Sequence, residues 1–374
     1  MPARETRLVD IVHIGFPKTA TTWLQAEVIP AIAEIAPLGK PYLIDPAYRD
    51  LLNRFCSCNA LAFDALSFRD DFRELEVKNT ASFTGGRKKV ISFELLSGEL
   101  YSGIDAKELL DRLYGTFGPV RLLITIREQK AIIESLYRHY VTGGGALEIR
   151  DFLFEMPSPA VDGFSQARLL EKFRYDWHIL YCQRLFGSEN VKVLPMEVIV
   201  RDGPEAFMHA FLEAAAVEAR ATPRPNRFQN ESLSYLSIAI LRWINLLIAT
   251  PLSDSPFGRP LRRFYYRFIN RALRPLDRRV LARISPRRRF VDRRRRWFSV
   301  RLLKRLLGRY RPEVDGETVG QAIDRAYAEA NARTAALIGI DLAKYGYPVA
   351  PAPEPHDLAP VEPRERARSS GQAS

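Results

Sequence analysis

Four short apolar runs constrain this chain more than any other feature. Residues 9–15, 89–93, 120–126 and 191–194 are rich in Val, Ile and Leu, are bounded by turn residues, and read nearly continuous rather than alternating. Strands that bury both faces have this character, and they occur in parallel sheets covered by helices. Helical periodicity fills the intervals at 22–35, 105–115, 129–141, 166–186 and 202–216. Strands alternating with helices predict βαβ units, hence an α/β fold of three layers with a central parallel sheet flanked by helices.

With 374 residues, 47% of them hydrophobic and 11% aromatic, the chain can bury a sizeable core. We expect residues 1–230 to form that core and residues 231–348 to add a helical, Arg-rich part to the same domain. Residues 349–374, rich in Pro, Ala, Ser and charge, predict a disordered tail. Three cysteines, Cys56, Cys58 and Cys182, make no even disulfide framework and no zinc or CxxC spacing. That points to reduced thiols and a cytoplasmic setting. The polar residues 1–7 carry no signal-peptide pattern, and the longest apolar run, 235–250, is interrupted by Arg242 and Asn245.

The net charge of +12 is a local property. Residues 258–310 hold 20 Arg or Lys against 2 Asp, so this segment alone is +18 and the remainder is −6. Its arginine clusters alternate with Phe264, Tyr265, Phe268, Phe290, Trp297 and Phe298. The pattern suits an anionic membrane surface at the inner face, or an acidic acceptor, better than nucleic acid, because no nucleic-acid-binding motif accompanies it. A solvated basic helix pair accounts for it equally simply.

The first apolar run ends in Gly15-Phe16-Pro17-Lys18-Thr19-Ala20-Thr21-Thr22 and leads into a helix at Trp23. A strand that turns through small and hydroxyl residues into a helix presents free N–H groups to one spot. Lys18 adds charge and the threonines add donors, so the stretch reads as an anion cradle. A triphosphate P-loop has two glycines spaced by four residues, then Lys and Ser/Thr. Here the lysine comes early and no second glycine precedes the helix. The local alternative is an ordinary helix capped by Thr21 or Thr22.

A second segment narrows the choice. The run at 120–126 ends in Arg127, at the carboxyl edge of a strand, where open α/β sheets bind ligands. Eight residues on, Ser135 lies in a helix whose apolar face carries Ile132, Leu136 and Tyr140. Arg127 and Ser135 can serve one phosphate, the arginine by a bidentate fork.

Together, in this order, the two segments resemble the sulfotransferases that use 3′-phosphoadenosine 5′-phosphosulfate (PAPS). The stretch from Gly15 to Leu24 is similar to the family's 5′-phosphosulfate loop, commonly Pro-Lys-x-Gly-Thr-Thr-Trp-Leu, with Ala20 in place of the glycine. Arg127 and Ser135 resemble its 3′-phosphate motif, and Tyr137 to Tyr140 the aromatic run after it. Further on, residues 186–197 resemble the family's late strand and acidic corner, with Met196 where an aromatic is common. Asn331 and residues 337–348 resemble the ending of carbohydrate-type members.

The resemblance implies PAPS as co-substrate, no metal, and a hydroxyl acceptor on a carbohydrate or glycolipid. It assigns Pro17, Lys18, Thr19, Ala20, Thr21, Thr22, Trp23, Arg127 and Ser135 to PAPS, with Lys18 also catalytic at the leaving group. The residues themselves leave two rivals: a P-loop-related nucleotide kinase, and a non-enzymatic module binding lipid or nucleic acid through the Arg-rich segment. An acceptor hydroxyl needs a base, and Glu94, closing the second run, is the expected one; Ser92, two residues earlier, is placed to orient the acceptor. Mid-strand His13 reads as a core histidine, and His139 as a neighbour of the 3′-phosphate motif. We expect Glu197 to serve as a structural hydrogen-bonding residue, and no metal-ligand spacing occurs among the five histidines.

Overall fold

The apolar runs pair into one parallel sheet. Its strands are β1 (Ile11–Gly15), β2 (Ile35–Pro37), β3 (Lys88–Ser92), β4 (Arg121–Ile126) and β5 (Val191–Pro195), in the order β2-β3-β1-β4-β5. The structure is a computed structural model, and it describes residues 7–40, 42–154, 169–219, 235–247, 313–314 and 317–351. The first half of the chain supplies helices α1 (Thr21–Trp23), α2 (Ala47–Ser57), α3 (Ala65–Lys78), α4 (Ala106–Phe117), α5 (Gln129–Thr142) and α6 (Ile149–Phe154). Then come α7 (Leu169–Lys172), α8 (Tyr175–Phe186), α9 (Glu197–Arg201), α10 (Pro204–Ala215), α11 (Tyr235–Leu247) and α12 (Val319–Ile338).

The sheet divides two cores, as the period of two along a strand requires. Val12, Ile14, Leu122 and Ile124 face one side and pack with Leu113, Ile179 and Phe186 from α4 and α8. Ile11, Val90, Leu123 and Leu194 face the other and pack with Trp23, Phe207 and Phe211 from α1 and α10. This is the three-layer α/β arrangement expected from the sequence. The carboxyl ends of β3, β1 and β4 lie side by side at one edge, with His13 opposite Ser92 and Gly15 opposite Thr125.

Three elements differ from expectation. The helix expected over 22–35 stops early: α1 continues as a π-helical turn, Leu24–Val28, and a 3₁₀ turn, Ile29–Ala31. Pro30 removes an N–H from the ladder and clashes with a preceding carbonyl, so the chain leaves the helix at Ile32 in extended backbone. Ile35, the last residue of the expected helix, instead opens β2, which pairs with β3 through Ile35 and Lys88. Within the helix expected over 166–186 the described residues form two, α7 and α8, parted where Arg174 leaves the helical region at ψ 79°. The Arg-rich segment 258–310 and residues 352–374 of the expected tail lie outside the described residues. Among the described residues no helix is long and apolar enough to cross a membrane.

Candidate functional site

Everything at the site starts from the tight exit of β1. A Cβ on Gly15 would land on Thr21 Cγ2 and stand 3.1 Å from Thr125 Oγ1 and 3.3 Å from Thr19 Oγ1, so only glycine lets the loop fold back over the strand. The chain then passes through two left-handed residues that are not glycine, Lys18 and Ala20, both at φ 64°. Such backbone costs about 1–2 kcal/mol per residue and persists only where contacts over-determine it.

Those contacts come from three directions. Arg127, just beyond β4, donates from Nη1 to the Lys18 carbonyl at 3.0 Å. Thr19 donates to the Phe16 carbonyl at 2.6 Å. Thr21 donates to Glu94 Oε2 at 2.9 Å. What the loop leaves open is a set of donors: among the described residues the N–H groups of Lys18, Thr19, Ala20, Thr21 and Thr22 make no hydrogen bond. Nor does the Lys18 ammonium have a hydrogen-bond or ion-pair partner there. A loop of unpartnered N–H groups beside an unpaired ammonium and a guanidinium fits phosphate or sulfate oxygens.

The electrostatics agree with that reading. Burial pulls Lys18 below the usual lysine value; Glu94 opposes the shift and Arg127 adds to it. For Glu94, burial alone would raise the carboxyl. The Lys40 hydrogen bond and charge, the Thr21 hydroxyl and the Lys18 charge outweigh it and hold Glu94 below the ordinary carboxylate range. Lys40 Nζ sits 2.9 Å from Glu94 Oε1, both groups a little over one-third exposed. His139 is exposed on α5 yet feels both charges: partial loss of hydration lowers its pKa, Lys18 lowers it further and Glu94 raises it.

Arg127 owes its position to several ties. Tyr175 donates its hydroxyl to the Arg127 carbonyl at 2.7 Å. The neighbouring Glu128 caps α5 by accepting from the N–H groups of Lys130 and Ala131, each at 2.9 Å. Its own N–H goes to Glu197 Oε1 at 2.9 Å, while Tyr347 donates to Glu197 Oε2 at 2.9 Å. Glu197 is thus a hydrogen-bonded brace between the residues just after β4 and Tyr347. Asn331 is a second brace, pairing its amide with that of Gln129 at 2.7 and 3.0 Å. Ser135 is half-buried on α5, and its hydroxyl has no partner among the described residues.

Three residues stand differently from their sequence reading. Thr19 is fully buried and turns its hydroxyl inward, to the Phe16 carbonyl, rather than toward a ligand. Trp23 lies in the core, its ring 6.2 Å from that of Phe207. Ser92 cannot orient an acceptor, being 2% exposed and hydrogen-bonded to His13 and Gln25. Sequence reasoning also missed Lys40. It follows β2, and with that strand not read from the sequence its carboxyl edge carried no signal.

No family model matches the chain, and no curated protein matches it. Among the solved structures it is similar to are three sulfotransferases. One is from Alicyclobacillus acidocaldarius, at 15% identity and a TM-score of 0.43, covering 64% of this chain and 92% of that one. A sulfotransferase domain from the curacin biosynthetic pathway is 13% identical, with a TM-score of 0.34, covering 71% of this chain and 98% of its own. A sulfotransferase domain from a Synechococcus olefin synthase is 12% identical, with a TM-score of 0.33, covering 67% and 92%. At such distances the function must be read from the residues of the site.

Proposed function

We propose that this protein is a sulfotransferase that moves the sulfuryl group of PAPS to an acceptor hydroxyl, with a carbohydrate or glycolipid as the acceptor class. The observation behind this reading is the hydrogen bond from Arg127 to the Lys18 carbonyl. It joins two motifs 109 residues apart, each read separately as an anion site, into one cradle at the carboxyl edge of β1 and β4. A cofactor with phosphates at both its 3′ and 5′ ends calls for such a pair of sites.

The chemistry needs an in-line arrangement: a bond forms between the acceptor oxygen and sulfur as the bond from sulfur to the 5′-phosphate oxygen breaks. Lys18 neutralises the charge that builds on the departing oxygen, and the N–H groups from Thr19 to Thr22 bind the peripheral oxygens. Arg127 and Ser135 take the 3′-phosphate. Glu94 accepts the acceptor's proton; Lys40 and Thr21 each use one lone pair, and each carboxylate oxygen keeps another. Glu94 is ionised at neutral pH; the neighbours that lower its pKa also weaken it as a base, and it passes the proton on readily to water.

Thermal unfolding with 3′-phosphoadenosine 5′-phosphate (PAP) or ATP tests the reading. PAP raises the unfolding temperature and ATP at the same concentration does not; stabilisation by ATP alone would instead favour a nucleotide kinase. In a transfer assay with labelled PAPS and a panel of glycans and glycolipids, Lys18→Ala abolishes turnover. Full turnover by that variant removes Lys18 from the mechanism.

A further inference from the structure

Beneath the loop runs a line of buried polar side chains on the same sheet face as Ile11 and Leu123. Gln25, Ser92, His13, Thr125 and Thr19 are each at most 4% exposed. Their contacts are continuous. Gln25 Nε2 lies 3.1 Å from Ser92 Oγ, and Ser92 Oγ lies 2.8 Å from His13 Nδ1. His13 Nε2 lies 3.1 Å from Thr125 Oγ1, and Thr125 Oγ1 lies 2.8 Å from Thr19 Oγ1. The line ends at the Phe16 carbonyl, 2.6 Å from Thr19 Oγ1.

The directions of these bonds follow from counting protons. A carbonyl only accepts, so the single Thr19 hydroxyl proton goes to Phe16. Thr125 must then donate to Thr19, which commits its own proton. His13 Nε2 therefore has to be the donor to Thr125. With that nitrogen protonated and the ring neutral, Nδ1 is an acceptor and Ser92 donates to it. Ser92 in turn accepts from Gln25, whose amide is oriented by its second contact, Nε2 at 3.3 Å from the Ser92 carbonyl. Each donor is used once and every link agrees with the next. Burial pulls His13 down to about 4, which keeps the ring in the neutral form the line requires. A protonated ring would add a donor at Nδ1, facing the Ser92 hydroxyl proton that the line sends there, and would leave the Thr125 link as it is.

We propose that His13 and Thr125 are positioning residues: through this one-way hydrogen-bond line they hold Thr19 and the left-handed turn at Lys18 and Ala20 in the shape that binds the donor's phosphate. The line ties β3, β1 and β4 to the loop at the position where Gly15 leaves room for the Thr125 and Thr19 hydroxyls. Neither residue reaches a ligand; both act through the loop. Chains of buried hydrogen bonds reinforce one another when every member is satisfied, and lose more than one bond's worth when one is cut. The part concerning the donor rests on the reading of the site as a PAPS cradle.

The experiment compares full-length wild type with Thr125→Val, which keeps the side chain's shape and deletes its hydroxyl, and Thr125→Ser, which restores the hydroxyl. In Thr125→Val, PAP binding by calorimetry weakens by at least about five- to tenfold, the scale of one net hydrogen bond or more, and the KM for PAPS rises while that for the acceptor holds. Thr125→Ser binds as wild type does. Amide exchange of the peptide spanning residues 14–22 quickens in Thr125→Val alone. In wild type, nitrogen NMR of the His13 ring at neutral pH finds the proton on Nε2, a measurement that needs neither a variant nor a ligand. The proton on Nδ1 overturns the line. Equal PAP affinity in Thr125→Val and wild type, or equal weakness in the Ser and Val variants, overturns the positioning role. Should wild type not bind PAP, the sulfotransferase reading fails, and the ring tautomer and loop exchange still decide the line.

Discussion

Ala20 occupies a left-handed conformation, φ 64° and ψ 17°, in which a Cβ is a steric burden. Ala20→Gly relieves that burden but also gives the unfolded chain more freedom, and the two effects oppose each other. Because the native conformation is the one alanine dislikes, the first effect wins. The variant is expected to be about 1 kcal/mol more stable, read as a higher urea midpoint at unchanged slope. A lower midpoint would mean that contacts absorb the strain at Ala20. At this scale much of the site was legible: Lys18, Arg127 and Glu94 follow strands whose ends the apolar pattern marks. Thr19 and Ser92 were not, since whether a hydroxyl faces ligand or core depends on partners 106 and 79 residues away, Thr125 and His13.

Among the elements, the short strand β2 has the largest consequence. Pro30 ends the helical segment, the next residues join the sheet edge, and the strand's exit delivers Lys40 to Glu94. Lys40 is the leading influence holding the Glu94 carboxyl down against its burial. Lys40→Ala therefore raises the Glu94 pKa toward and above its ordinary value. If Glu94 is the base, its ionised form is then lost at a higher pH, so the acid limb of the kcat/KM profile moves upward. An unmoved limb would assign the base role to another group, His139 being a histidine whose pKa both Lys18 and Glu94 shift. The sequence marked β1, β3, β4 and β5 because each is a continuous apolar run. It missed β2 because three residues, Ile35–Pro37, are too few to carry a period against the helical signal before them.

For the molecule as a whole, two histidines set a pH dependence. Burial pulls both His13 and His178 to about 4, against an ordinary 6.5. Between those values the unfolded chain binds more protons than the folded one, so stability falls as pH falls. The histidine contribution is level above 6.5 and declines from there to about 4, each histidine contributing on the order of 1.4 kcal/mol per pH unit. Urea unfolding at pH 7.5, 6.5 and about 5 measures this, and equal stability at all three would contradict it. At the same scale, the sequence by itself determined the layers and the anion loop. Hydrophobic period, a proline, a capping glutamate and an early lysine act over a turn or two of chain, and their physics is local. Only the tertiary structure decided that β1 lies between β3 and β4. That order brings the Lys18 carbonyl to Arg127, turns Thr19 toward Thr125 and sets Glu94 between Lys18 and Lys40. Strand order and register come from burying two apolar faces at once, a condition on the whole chain that no short segment states.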